Sequence, residues 1–198
     1  MTQTIIFANT RNFCELAFNF LKHEKGLPIN IIFGAMSVEE RDEYIAKFRR
    51  MEISVIVSTD MLSRGFDVPE LQLVINADVP RETDIDKNVF PGFDSFMHRA
   101  GRAGRFGQKG VCLTLYDNDE DEFMYKEIAK KQNLDILELT KPDLLKDALA
   151  EIGFLKDVPK KWCNSPKKTL IHDNFINQLK FKTFLSYQMR LRVKIFWI

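Results

Sequence analysis

Short runs of consecutive apolar residues, many of them β-branched, alternate with segments of helical period along the first two-thirds of the chain. This alternation restricts the fold more than any other feature. Thr4-Ile5-Ile6-Phe7-Ala8, Ile29-Asn30-Ile31-Ile32-Phe33, Ser54-Val55-Ile56-Val57-Ser58, Leu73-Val74-Ile75-Asn76 and Val111 to Tyr116 are apolar on nearly every residue, not on every second one. A strand reads this way when both of its faces are covered, which is the situation of a parallel sheet between helices. The expected class is therefore α/β, with helices on both faces of the sheet.

The intervening segments carry helix signals. Cys14, Ala17, Phe18 and Leu21 recur at helical spacing from Arg11 to Lys22, and Gly26 and Pro28 end that helix. Ser37-Val38-Glu39-Glu40 is a capping box opening a helix to about Arg50. Asp94 is a candidate cap for a helix covering His98 to Arg102, and Asn118 or Asp119 for one reaching Lys131. Ile136 to Leu139 is a candidate sixth, edge strand, and Pro142 starts a helix ending near Ile152-Gly153. The domain is expected to span 1–158, leaving 159–198 as a tail of open order. Pro80 to Gly92 carries mixed charges and little periodicity, and reads as a long surface loop.

Charge is distributed unevenly behind a net value of +1. From Pro159 onward the bases Lys160, Lys161, Lys167, Lys168, Lys180, Lys182, Arg190, Arg192 and Lys194 face the single acid Asp173. Aromatic residues from Trp162 to Trp197 are interleaved with them, a composition compatible with RNA binding and equally with an amphipathic helix. Cys14, Cys112 and Cys163 are odd in number and lack ligand spacing, so neither a disulfide framework nor a metal site is expected. No apolar stretch approaches bilayer length and no leader pattern opens the chain, which points to an intracellular protein without membrane contact.

Two segments carry candidate chemistry. In His98-Arg99-Ala100-Gly101-Arg102-Ala103-Gly104-Arg105, three arginines recur every third residue among small spacers. Guanidinium forks so placed suit bidentate binding of phosphate oxygens, although a solvated basic helix face has the same composition. Thr59-Asp60-Met61-Leu62-Ser63-Arg64-Gly65-Phe66-Asp67 follows an apolar strand directly. In open parallel sheets ligands bind beyond the carboxyl ends of strands, and Gly65 and Asp67 suit close backbone approach and a hydroxyl; a tight turn with a surface pair is the alternative.

Together these segments resemble the motifs of DEAD-box ATP-dependent RNA helicases. Ile5 to Thr10 looks like motif IV, Ser58 to Asp67 like motif V, and His98 to Gly107 like motif VI, in the family's order, with Val74 to Pro80 similar to the segment between them. The resemblance implies a RecA-like C-terminal lobe that closes on an N-terminal helicase lobe, with ATP between them and single-stranded or duplex RNA across both. It implies arginine fingers at Arg102 and Arg105, ATP contacts from Asp67 and Gly65 as well, and interlobe coupling by Arg64, His98 and Arg99. It also implies RNA contacts from Asn9, Thr10, Arg11, Gly34, Arg41, Thr59 and Gly65; Thr10 and Arg11 equally suit the start of a helix. Phe7 would pack behind the arginines, or serve as an ordinary core residue.

Departures accompany the matches. Val38 stands where the family's Q-x-x-R motif has glutamine, with Arg41 at the arginine position, and the chain contains no phosphate loop and no Asp-Glu-Ala-Asp segment. The resemblance thus implies ATP with Mg2+ held mainly by the N-terminal lobe, no metal ligands on this chain, an inactive isolated lobe, a monomer, and possible protein cofactors. Loop length is similar to messenger-RNA-export members, and Ser63-Arg64-Gly65 with Arg102 to Gly107 to the survival-of-motor-neuron-complex helicase; both subfamilies stay open. The alternative function is a non-catalytic module binding RNA or protein through the lobe and its basic tail.

Overall fold

In the computed structural model, which describes residues 3–25, 27–63, 71–104, 110–139 and 192–197, the apolar runs form the strands of one sheet. Strand β1 (Gln3–Phe7) leads to helix α1 (Arg11–Lys25), then β2 (Ile29–Ile32), α2 (Val38–Arg49) and β3 (Val55–Ser58). A 3-10 turn (Asp60–Ser63) precedes β4 (Leu71–Asn76), short strands β5 (Arg81–Thr83) and β6 (Val89–Pro91), and α3 (Phe93–Ala100). The chain continues through β7 (Val111–Tyr116), α4 (Asp119–Gln132), β8 (Leu137–Leu139) and β9 (Arg192–Trp197).

The main sheet has the order β2-β3-β1-β4-β7-β9-β8, and its first five strands are mutually parallel. Side chains alternate between its faces. Ile6, Val55, Val57, Leu73, Ile75 and Leu113 pack with Cys14, Ala17 and Leu21 of α1 on one side. On the other, Ile5, Phe7, Ile56 and Val74 pack with Phe48 of α2, Phe96 of α3 and Tyr125 and Ile128 of α4. Each fully buried aliphatic or aromatic side chain contributes roughly 1.5–3 kcal/mol of transfer free energy, so covering both faces is what makes short strands of this composition stable. The expected architecture, a mostly parallel sheet with helices on both faces, is the one observed.

Local signals explain the helix ends. Ser37 and Glu40 form the reciprocal capping box expected at α2. The Asn118 side chain accepts from the Asp121 amide at the start of α4, whose first turn is acidic and whose last turn holds Lys130 and Lys131, matching the helix dipole. At α3 the expectation is corrected: Gly92, not Asp94, is the cap, and the helix stops at Ala100. The Gly92 amide donates to the Pro80 carbonyl at 2.8 Å, and a Cβ on Gly92 would lie 2.9 Å from the Arg81 nitrogen. Close backbone approach, not a side-chain cap, therefore starts this helix.

The segment expected as a surface loop, Pro80 to Gly92, is instead an antiparallel hairpin pairing Arg81 with Pro91, Glu82 with Phe90 and Thr83 with Val89. Asp84 closes its turn by accepting from the Asn88 amide at 2.8 Å and from the Asn88 side-chain amide at 2.9 Å. A second difference lies at the far side of the sheet. β8 is the edge strand, as expected, but β9, drawn from the basic tail, lies between β7 and β8 and pairs antiparallel with both. The expected boundary near Val158, the helix after Pro142 and most of the tail lie outside the described residues. Among the described residues no helix is long and apolar enough to cross a membrane.

Candidate functional site

The carboxyl ends of β1, β2, β3 and β4 open on one rim of the sheet, occupied by Asn9 and Thr10, Gly34, Thr59 and Asp60, and Asp78 respectively. Parallel strands present such a rim because every crossover helix returns the chain to the opposite end, and ligands of open α/β sheets bind here. Thr10 caps α1: its hydroxyl accepts from the Phe13 amide at 3.3 Å. Arg11 is the first residue of α1, ion-paired to Glu15 at 2.9 Å, with its guanidinium 4.6 Å from the Phe33 ring at the end of β2. Gly34 is exposed, and a Cβ there would meet the Met61 sulfur at 3.4 Å, so the ends of β2 and β3 adjoin. Arg41 lies on α2 one turn beyond Val38, which is exposed.

One side chain joins three of these strand ends. Arg99, on α3, has no exposed surface. Its Nε and Nη2 donate to the two carboxylate oxygens of Asp60, the second at 3.0 Å, and Nη2 also donates to Asn9 Oδ1 at 2.9 Å. Nη1 lies 3.5 Å from Asn76 Oδ1 and 3.7 Å from Asp78 Oδ1, and the Phe7 ring centroid is 5.6 Å from the guanidinium. A buried guanidinium is stable only when forked hydrogen bonds and charges replace its hydration, and this arrangement supplies both. Phe7 thus packs behind an arginine of the segment and is also a fully buried core residue.

Asn9 is held as firmly. Its amide donates to both Asp78 oxygens at 3.0 Å, and its Nδ2 donates to the Val79 carbonyl at 2.7 Å. Burial pushes the Asp78 carboxyl up to about 6, opposed by the Asn9 amide and the Arg99 charge, which favour the ionised form. Burial likewise raises the Cys14 and Cys112 thiols to about 12, so neither is a nucleophile at neutral pH.

Beyond α3 the chain turns at Gly101 and carries Arg102 at partial exposure. The Arg102 amide donates to the Arg99 carbonyl at 3.1 Å, and Arg102 Nε donates to the His98 carbonyl at 3.2 Å. Gly104, at φ 71°, donates to the Leu71 carbonyl at 3.3 Å, and a Cβ on Gly110 would lie 2.3 Å from the Gly104 nitrogen. The Arg102 turn is therefore packed directly against the start of β7.

The structure thus brings Asn9, Thr59, His98, Arg99 and Arg102 into one connected region, with Thr10, Arg11 and Gly34 along the same rim. Arg64, Gly65, Asp67 and Arg105 lie outside the described residues. The Arg99 guanidinium is enclosed by its own lobe. Its partners Asp60, Asn76 and Asp78 were not recognised as site residues from sequence; the available signal was polar side chains at or just beyond the ends of otherwise apolar strands. Among the described residues no group of three or more His, Cys, Asp or Glu could hold a metal ion.

Residues 1–107 match the model of the helicase conserved C-terminal domain. The chain is 35% identical over 159 residues to a Mus musculus protein named "Probable ATP-dependent RNA helicase DDX20", covering 80% of this chain and 18% of that protein. The chain therefore spans less than a fifth of that relative's length. The C-terminal domain of the DEAD-box protein Dbp5 superposes with a TM-score of 0.59 at 31% identity, over 67% of this chain and 71% of that one. Domain 2 of the Mss116p DEAD-box helicase, solved bound to an RNA duplex, superposes with a TM-score of 0.54 at 26% identity, over 67% and 48%. With the rim, the buried arginine and the Arg102 turn on a RecA-like sheet, these matches establish that the chain belongs to the DEAD-box RNA helicases, as a helicase C-terminal lobe.

Proposed function

We propose that this chain is the RNA-facing and finger-bearing half of an ATP-driven RNA-remodelling enzyme, acting inside the cell on single-stranded or duplex RNA. In this reading Asn9, Thr10, Arg11, Gly34, Arg41, Thr59 and Gly65 meet the sugar-phosphate backbone. Backbone amides and hydroxyls at strand ends bind RNA without reading bases, which suits an enzyme that acts on many sequences.

Arg102 and Arg105 act as fingers on the transferring phosphoryl group, Asp67 and Gly65 contact ATP, and His98 and Arg64 face the N-terminal lobe. ATP supplies the phosphoryl group and its Mg2+ is held mainly by that other lobe. The part of this chain is to present fixed positive charge where negative charge develops. The lobe works as a monomer with its N-terminal partner, and protein cofactors act on its outer surface.

The observation that carries the reading is the junction at Arg99. One buried guanidinium binds residues at the ends of β1 and β3, while its own carbonyl receives the Arg102 amide. A phosphate-facing arginine and an RNA-facing rim thereby share one rigid frame. The test joins the chain to an ATP-binding N-terminal lobe and measures RNA-stimulated ATP hydrolysis. Arg102→Ala and Arg105→Ala are each expected to lower turnover by roughly 10³-fold, as loss of an arginine finger does. Undiminished turnover in both variants would refute the finger assignment.

A further inference from the structure

We propose that Arg99 is a positioning residue that carries the state of the RNA-facing strand ends to the turn holding Arg102, entirely within this lobe. This rests on the function proposed above and specifies how one of its arginines acts. The observation is geometric. Arg99 is fully enclosed, so it cannot itself reach RNA, nucleotide or another lobe.

Each polar edge of its guanidinium is taken up by a different strand end. Nε and Nη2 hold Asp60, the neighbour of Thr59; Nη2 holds Asn9, the neighbour of Thr10; and Nη1 faces Asn76 and Asp78 at the end of β4. Asp78 closes the circuit by accepting the Asn9 amide through both oxygens. The Ser95 hydroxyl, one turn earlier on α3, donates to the same Asp60 at 3.3 Å.

The output side is equally direct. The carbonyls of His98 and Arg99 receive Nε and the amide of Arg102, so the orientation of the last turn of α3 sets where the Arg102 head group points. A shift of Thr59-Asp60 or Asn9-Thr10 when RNA binds must either break the forked hydrogen bonds of a fully enclosed guanidinium or move α3 with it. Inside a low-dielectric site breaking those bonds is the costlier course, so α3 follows. Lysine carries one point of charge and cannot hold two strand ends at fixed angles, which is the physical reason for arginine here.

Arg99 would thus make RNA contact at the strand ends felt at the phosphate-facing arginine without any movement of the sheet. A demonstrated coupling, not spatial intermediacy, is the required proof. The full chain is titrated with a short RNA duplex while nuclear magnetic resonance follows the Gly34 and Thr59 amides and the Arg102 Nε–H group.

In the unaltered chain the duplex is expected to shift all three. In Asp60→Asn, which keeps shape but removes the charge from the fork, the Gly34 and Thr59 shifts persist while the Arg102 shift is lost. Arg99→Lys gives the same split. Ser95→Ala, which removes one contact to Asp60 and leaves every residue assigned to RNA contact unaltered, reduces the Arg102 shift partially and serves if either stronger variant unfolds.

An Arg102 response that is undiminished in the folded variants overturns the proposal. So does a duplex that shifts Gly34 and Thr59 in the unaltered chain but leaves Arg102 still. If the duplex shifts nothing, the RNA-binding reading falls first and the coupling falls with it.

Discussion

Two arginine–carboxylate clusters hold this lobe together, and they differ in depth. At the rim, Arg99 is wholly enclosed and shared among Asp60, Asn9, Asn76 and Asp78. At the hairpin, Arg81 pairs with Asp121 at 2.5 Å and lies 3.8 Å from Glu120, pinning β5 to the first turn of α4; its side chain is 31% exposed. The chemistry is the same and the surroundings are not. Water screens and replaces the hairpin pair when it breaks, whereas the Arg99 guanidinium has no route to water without opening the core, although its partners Asp60 and Asp78 keep part of their surface exposed. The first cluster therefore specifies geometry, and the second trims an excursion of the chain.

The largest loss from a substitution is expected from Arg99→Gln, which leaves Asp60 and Asp78 facing each other without a cation. Thermal and urea unfolding should show a loss on the order of 2–3 kcal/mol, below that of a fully buried pair because the carboxylates left behind keep some contact with water. A loss under about 1 kcal/mol would place Arg99 with surface pairs and erase the distinction between the two clusters.

Next comes the pH dependence set by Asp78. Its carboxyl is raised from an ordinary 3.8 to about 6, so the folded chain binds this proton more tightly than the unfolded chain. The group's contribution to stability is fully present below about pH 4 and is lost as pH rises through about 6, on the order of 3 kcal/mol in all. Asp78→Asn cannot titrate. Its stability relative to the unaltered protein should therefore improve between pH 4.5 and 7.5 in urea melts, and a difference independent of pH would show that Asp78 is not perturbed.

The smallest effect is expected from Arg81→Ala, about 1 kcal/mol, because the partly exposed pair is screened and Asn118 still donates to Asp121. A loss as large as that of Arg99→Gln would mean that the hairpin is part of the core.

The expected strands and helices were legible wherever a local period or cap carried the information. The bounds of Val111 to Tyr116 and the Ser37 cap follow from local pattern, while for α4 the pattern offers Asn118 or Asp119 and the structure selects Asn118. The hairpin was missed because its strands are three residues long and mostly polar, too short for a period to register. The α3 cap was missed because Gly92 acts through contact with Pro80 and Arg81, about eleven residues earlier, which no local pattern encodes. β9 was missed because its partners Val111 to Tyr116 and Leu137 to Leu139 are far away in sequence, and strand pairing leaves no local trace.

The motif residues followed the same division. Sequence alone determined the α/β class, the order of the sheet's parallel strands and their helices through β7 apart from the hairpin, and the presence of an arginine-rich turn after a helix, because these depend on periodicity and residue type over short spans. Tertiary structure alone decided which arginine faces inward. Arg99 and Arg102 are three residues apart with similar small neighbours, but α3 directs Arg99 toward three strand ends while Gly101 turns Arg102 away. Burial and charge partners assembled from residues up to 90 positions apart set that difference.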